Sequence, residues 1–122
     1  VLLATASFWE GVDIPGYPLR LVLIDRLPFD PPDDPWVAAR VERLEAGGEN
    51  AFRDFHLPRA ALRLQQGFGR LIRARSDRGV VAILDRRIVT KSYGKRFSKA
   101  LPPASRIDDL EALRRWLGAS AL

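Results

Sequence analysis

The chain has 122 residues, about one domain's worth, of which 47% are hydrophobic and 29% charged, with a formal net charge of +5. It has no cysteine and one histidine, His56, which excludes disulfides, thiolate zinc sites, iron–sulfur ligation and a histidine metal cluster within this segment. No apolar run approaches the roughly 18 residues of a membrane span and no leader pattern is present, so the expected location is the cytoplasm with no membrane partner.

In chain order, Val1–Thr5 reads as a first strand. The chain starts without Met inside this apolar run, which suggests a segment of something longer. Leu19–Asp25 and Gly79–Leu84 read as two more strands, each a near-continuous apolar run suited to burial on both faces. The DPPDDP stretch, residues 30–35, is a rigid turn. Asp34 is placed to cap a helix with Pro35 at its first position, and Gly47-Gly48 ends it. Pro58 is expected to open a second helix running to about Arg73. Ser92–Leu101 reads as a third, stopped by Pro102-Pro103. Ser105 and Asp108 form a capping-box pattern for a last helix. That helix carries Ile107, Leu110, Leu113 and Leu117 on one side and ends at Gly118. Strands alternating with helices predict an α/β fold with a mostly parallel sheet and flanking helices. Three strands make a small sheet, so further strands are expected upstream.

The second helix holds the strongest chemical signal. Arg59, Arg63, Gln66, Arg70 and Arg73 recur at spacings that place them within roughly 80° of one another on a helix wheel. Leu57, Ala60, Ala61, Leu64, Phe68, Leu71 and Ile72 collect on the other side. An ordinary wet face mixes charge signs to limit repulsion, and this stripe has no acid. Between Arg59 and Arg78, six arginines face the single acid Asp77, an excess equal to that of the whole chain, +5. Guanidinium forks suit phosphate oxygens, although a charge run is also the usual form of a solubilising face. Gly67 and Gly69 each cost roughly 1 kcal/mol in a helix interior. Either a neighbouring element or a ligand approaches the backbone there.

Gln66-Gly67-Phe68-Gly69-Arg70-Leu71-Ile72-Arg73 matches Q-x-x-G-R-x-x-R, and at this point the sequence resembles motif VI (residues 65–74) of superfamily-two helicases. Asp77, Gly79, Asp85 and Arg87 resemble the D-x-G…D-x-R tail of the DinG/XPD branch. Lys91, Tyr93, Gly94, Phe97 and Leu101-Pro102 are similar to the K-x-Y-G…F…L-P ending of DinG-like proteins. Phe8 to Gly16 resembles motif V (residues 4–16), and Leu27-Pro28-Phe29 with Pro32, Asp34 and Pro35 resembles the L-P-F…P…D-P connector. The resemblance runs from about Ala4 to Pro102. It implies part of a second RecA-like lobe over residues 1–122, acting in an ATP-dependent DNA helicase. By it, Arg70 and Arg73 would be catalytic, reaching the γ-phosphate of ATP held by another lobe, with Gln66, Gly69, Gly11 and Asp13 assisting at the nucleotide. Ser7, Trp9 and Glu10 would meet single-stranded DNA, though an aromatic beside a strand is more commonly buried. Arg59 and Arg63 lie outside the motif, and a salt-bridged or solvated role suits them better.

No G-x-x-x-x-G-K-[ST] phosphate loop occurs, since Gly94-Lys95 is followed by Arg96, and no DEAH-like box is present to hold magnesium. ATP, magnesium and any iron–sulfur cluster are therefore expected on an N-terminal lobe outside this segment, and the segment alone is expected to be inactive. Two rivals stay open: a non-catalytic basic nucleic-acid-binding module, and a lobe of a related nuclease or non-unwinding ATPase. Lys91, Lys95 and Lys99, four apart, suit either a DNA backbone or an ordinary wet helix face. An uncovered sheet is expected to drive dimerisation, unless the last helix folds over it.

Overall fold

The computed structural model describes residues 20–71 and 78–119. The expected strand Val1–Thr5 and all of motif V lie outside the described residues. The described part is an α/β fold: two parallel strands, β1 (Leu21–Ile24) and β2 (Val80–Ile83), pair in register from Leu21 with Val80 to Ile24 with Ile83. Hydrogen bonds from Val80 N to Arg20 O, 2.9 Å, and from Leu84 N to Ile24 O, 2.8 Å, extend the ladder at both ends. Parallel neighbours need a long crossover, and here it contains α1 (Pro35–Ala46) and α2 (Leu57–Leu71). After β2 come α3 (Arg87–Thr90), α4 (Gly94–Ala100) and α5 (Leu110–Ala119).

Helix α1 begins and ends as its sequence dictates. The Asp34 carboxylate accepts hydrogen bonds from Trp36 N at 2.9 Å and Val37 N at 3.2 Å, and Pro35 takes the first helical position, where no N–H is needed. Gly48, at φ +79°, turns the chain out of the helix.

The other helix boundaries differ from expectation, each for a local reason. The second helix starts before Pro58, as a π turn over Phe52–His56 that runs straight into α2. Proline has no N–H to return to the preceding turn, and its ring crowds the carbonyl there, so the wider turn spans the break. The helix expected over Ser92–Leu101 is present as α4, and a short unpredicted helix, α3, precedes it. Helix α3 forms because the Asp85 carboxylate accepts from Arg87 N at 3.0 Å. Helix α4 starts at Gly94, where a Cβ would lie inside the Ile88 carbonyl. The last helix starts at Leu110 rather than after Ser105. Asp108 is drawn to Arg106 at 2.6 Å, while Asp109 accepts from Ala112 N at 2.6 Å and caps the helix.

The core lies on one side of the sheet. Ile24 and Leu27 meet Leu57, Ala60 and Leu64 of α2 and Phe97 of α4, with Leu64 and Phe97 fully buried. Fully burying such a side chain is worth roughly 1.5–3 kcal/mol. The expectation of strands covered on both faces is not met among the described residues, because Leu21 and Leu23 are 36% and 62% exposed. In α5 no residue is fully buried; Leu110 is exposed, and Leu113 and Leu117 are half-buried.

Candidate functional site

The arginine stripe of α2 divides in two. Its first half is anchored. Arg59 donates to both oxygens of Asp30, from Nε at 2.8 Å and from Nη2 at 3.3 Å, and Arg63 Nη2 pairs with the same carboxylate at 2.7 Å. Asp30 is buried, and its Arg59 hydrogen bonds, aided by the Arg63 charge, hold its carboxyl below the usual carboxylate range. Burial alone would push it the other way. The Arg59 guanidinium also lies 5.0 Å from the ring centroid of Trp36 and 5.1 Å from that of Phe55. A planar cation between aromatic faces and a carboxylate has little freedom left. These two arginines fix the turn after β1 to the helix, which agrees with the salt-bridged role expected from the sequence.

The second half is open. Gln66 and Gly69 are exposed, Gly67 is buried, and no described atom comes within 4 Å of where a Cβ on Gly69 would stand. The two glycines therefore differ: Gly67 faces inward, whereas Gly69 leaves free space along the helix. Arg70 belongs to α2 through its backbone, and Arg73 lies outside the described residues. Ser7, Trp9, Glu10, Gly11 and Asp13 also lie outside them.

Direction follows from the anchors. Because Arg59 holds Asp30, which follows β1, the start of α2 lies beside the carboxyl ends of the strands. The end of α2, with Gly69 and Arg70, leads towards the amino end of β2. The usual crevice of an open parallel sheet is at the carboxyl ends.

The neighbouring motifs prove to be architecture. The Asp85 carboxylate accepts from Leu27 N at 2.9 Å and from the Arg87 guanidinium at 2.6 Å, joining the carboxyl ends of both strands. The Arg87 hydrogen bonds, with those from Leu27 N and Arg87 N, hold the Asp85 carboxyl far below its ordinary value. Arg87 in turn lies 5.4 Å from the Phe29 ring centroid. Phe29 stacks on Phe52 at 5.8 Å and meets Phe97 edge-on at 5.7 Å, while Tyr93 meets Phe52 at 5.3 Å. The L-P-F connector, the D-x-R tail and the Y-G…F ending thus converge on one aromatic cluster. From the sequence Asp30 was only part of the rigid turn and Asp85 only part of the D-x-R tail; the bonds of Asp30 to Arg59 and Arg63 and of Asp85 to Leu27 N join residues remote in the chain.

A family model described as the helicase C-terminal domain matches residues 1–104. The chain is 50% identical over 117 residues to the ATP-dependent DNA helicase YoaA of Haemophilus influenzae, covering 96% of the chain and 18% of that protein. It is 52% identical over 102 residues to the ATP-dependent helicase DinG of Mycobacterium tuberculosis, covering 84% of the chain and 15% of the relative. Over 105 residues it is 50% identical to the 3'-5' exonuclease DinG of Bacillus subtilis, covering 86% of the chain and 11% of the relative. The chain spans less than a fifth of the length of each of these proteins.

Proposed function

The chain belongs to the helicase C-terminal domain family, and on that premise we propose that it is the C-terminal part of the second RecA-like lobe of a DinG-like, ATP-dependent DNA helicase. In this reading residues 1–122 present motif VI to ATP bound on an N-terminal lobe, and motif V couples that site to single-stranded DNA. Arg70 and Arg73 act as arginine fingers. Their guanidiniums neutralise charge that develops on the transferred phosphoryl oxygens, an effect worth roughly 10³–10⁵ in rate. Gln66 and Gly69, with Gly11 and Asp13, complete the nucleotide contacts, and Ser7, Trp9 and Glu10 contact the strand. Among the described residues no cluster of acids could hold magnesium, and no step is assigned here to a metal. No described helix is long and apolar enough to cross a membrane.

One observation supports the reading: the stripe is split between arginines spent on Asp30 and an open end at Gln66 and Gly69. A stand-alone basic module would use the whole stripe, yet Arg59 and Arg63 are both held by one buried carboxylate. The name of the Bacillus subtilis relative keeps a nuclease fused to this lobe as the second reading. The test is nucleotide hydrolysis by a two-lobe protein carrying this chain. Arg70→Ala or Arg73→Ala should slow turnover by at least ~10², with a smaller effect on ATP affinity, while this chain alone should hydrolyse nothing above background. Normal turnover in either variant removes that residue from the assignment.

A further inference from the structure

From Arg86 to Ile107 the chain has seven basic residues and no acid: Arg86, Arg87, Lys91, Lys95, Arg96, Lys99 and Arg106. Helix α1 shows the ordinary alternative, with Arg40 and Arg43 interleaved with Glu42 and Glu45. Three of the seven have structural partners, Arg106 being paired with Asp108 at 2.6 Å. Arg87 is held by Asp85, and Arg96 Nη1 donates to the Arg53 carbonyl at 3.3 Å. Asp54, whose carboxyl is lowered mainly by Arg53 and to a lesser degree by Arg96, is taken up by the Arg53 guanidinium at 2.7 Å. Lys91, Lys95 and Lys99 are exposed and have no ion pair among the described residues.

The platform under these lysines is rigid. Phe97 is fully buried, and Gly94 sits against the Ile88 carbonyl, so α4 is locked to α3 and to the core. Lys95 and Lys99 lie one turn apart on α4, about 6 Å between their Cβ atoms, a spacing that suits successive phosphates of an extended strand. An exposed aromatic ring packs on the same segment. Phe52 is 44% exposed, and its centroid lies 5.3 Å from that of Tyr93, the residue between Lys91 and Lys95. Cations without acids on a fixed scaffold, with an exposed ring on the same segment, are what a single strand needs for backbone and base.

We propose that the α3–α4 face, through Lys91, Lys95 and Lys99 with Phe52 packed on the same segment, is a binding surface for single-stranded nucleic acid, separate from motif V. It shares the nucleic-acid partner of the reading above but none of its residues. The experiment is fluorescence-anisotropy titration of the full chain with a labelled oligothymidylate over a series of salt concentrations. Removing three phosphate contacts (K91Q/K95Q/K99Q) should flatten the salt slope by about 2 and weaken binding about 10²-fold at about 0.1 M salt. Restoring charge with K91R/K95R/K99R should restore the slope. Phe52→Leu should weaken binding about 5-fold with the slope unchanged. Removing charge elsewhere, with R40Q/R43Q on α1, should leave the slope in place. The proposal is overturned if the triple Gln variant keeps the slope, if the α1 variant loses as much, or if the chain does not bind the oligonucleotide at low salt. It is also overturned if polyglutamate of equal charge competes as well as the oligonucleotide, which would make the face a docking site for an acidic protein. No ATP enters the measurement, so its failure leaves Arg70 and Arg73 untouched.

Discussion

Gly69→Ala puts a methyl group into space that no described atom approaches within 4 Å, at a helical position without a positive φ. Glycine in a helix interior costs about 1 kcal/mol relative to alanine, chiefly through backbone entropy. With no collision to offset that gain, the variant should be more stable by about 0.5–1 kcal/mol, a rise in Tm of ~3 °C for a domain of this size. If the space is reserved for the nucleotide or the lobe that holds it, the same methyl group displaces the motif VI backbone from its partner. A misplacement on the order of 1 Å is costly to catalysis, and hydrolysis by a two-lobe protein should fall at least ~10-fold. Thermal melts by circular dichroism and a steady-state phosphate-release assay give the two numbers. A stabilised variant with unchanged turnover would refute the use assigned to this open space. A destabilised one would refute the helical geometry on which the magnitude rests.

Asp30→Asn removes the charged partner of Arg59 and Arg63, both partly exposed and so partly screened, and should cost about 2 kcal/mol near neutral pH. The folded carboxyl of Asp30 lies below its ordinary value. Its contribution is therefore present above that value and disappears as the pH falls through the folded pKa, so the Tm gap between the chain and the variant should close in acid. A gap that persists at low pH would contradict this. Gly94→Ala forces a Cβ into the Ile88 carbonyl and should lower the urea midpoint by an amount equivalent to about 3 kcal/mol, and an unchanged midpoint would count against the α3–α4 contact. Because Leu21, Leu23 and Leu84 are exposed, the chain should dimerise as concentration rises. Sedimentation equilibrium that returns one chain's mass throughout would rule this out.

What was legible in the sequence was local. Asp34, Pro35 and Gly47-Gly48 bound α1 through interactions within a turn of each end, so a pattern of residue types suffices. The amphipathic division of α2 was equally plain: Ala60 and Leu64 are buried, while Gln66 lies outside. What was not legible depends on contacts remote in the chain. Nothing near Asp30 marks it as the partner of Arg59 and Arg63, which lie far downstream. Helix α3 exists because Asp85, already bonded to Leu27 N from the other strand, also accepts from Arg87 N. The late start of α5 reflects a competition: Arg106 takes the acid that the capping pattern needed. The apolar runs of β1 and β2 predicted cover on both faces, yet a run of leucines and valines states only a capacity for burial, and Leu23 remains exposed.

The arginine-finger assignment makes a claim about the transition state, so the most direct measurement compares two ligands on one protein. In a two-lobe protein carrying this chain, affinity for ADP with aluminium fluoride, a mimic of the transferring phosphoryl group, is set beside affinity for a non-hydrolysable ATP analogue. Groups that act in the transition state hold its mimic far more tightly than the ground state. Arg70→Ala and Arg73→Ala should each weaken the mimic at least ~10²-fold while changing the ATP analogue less than ~10-fold. Equal losses for both ligands, or none for the mimic, would contradict the account.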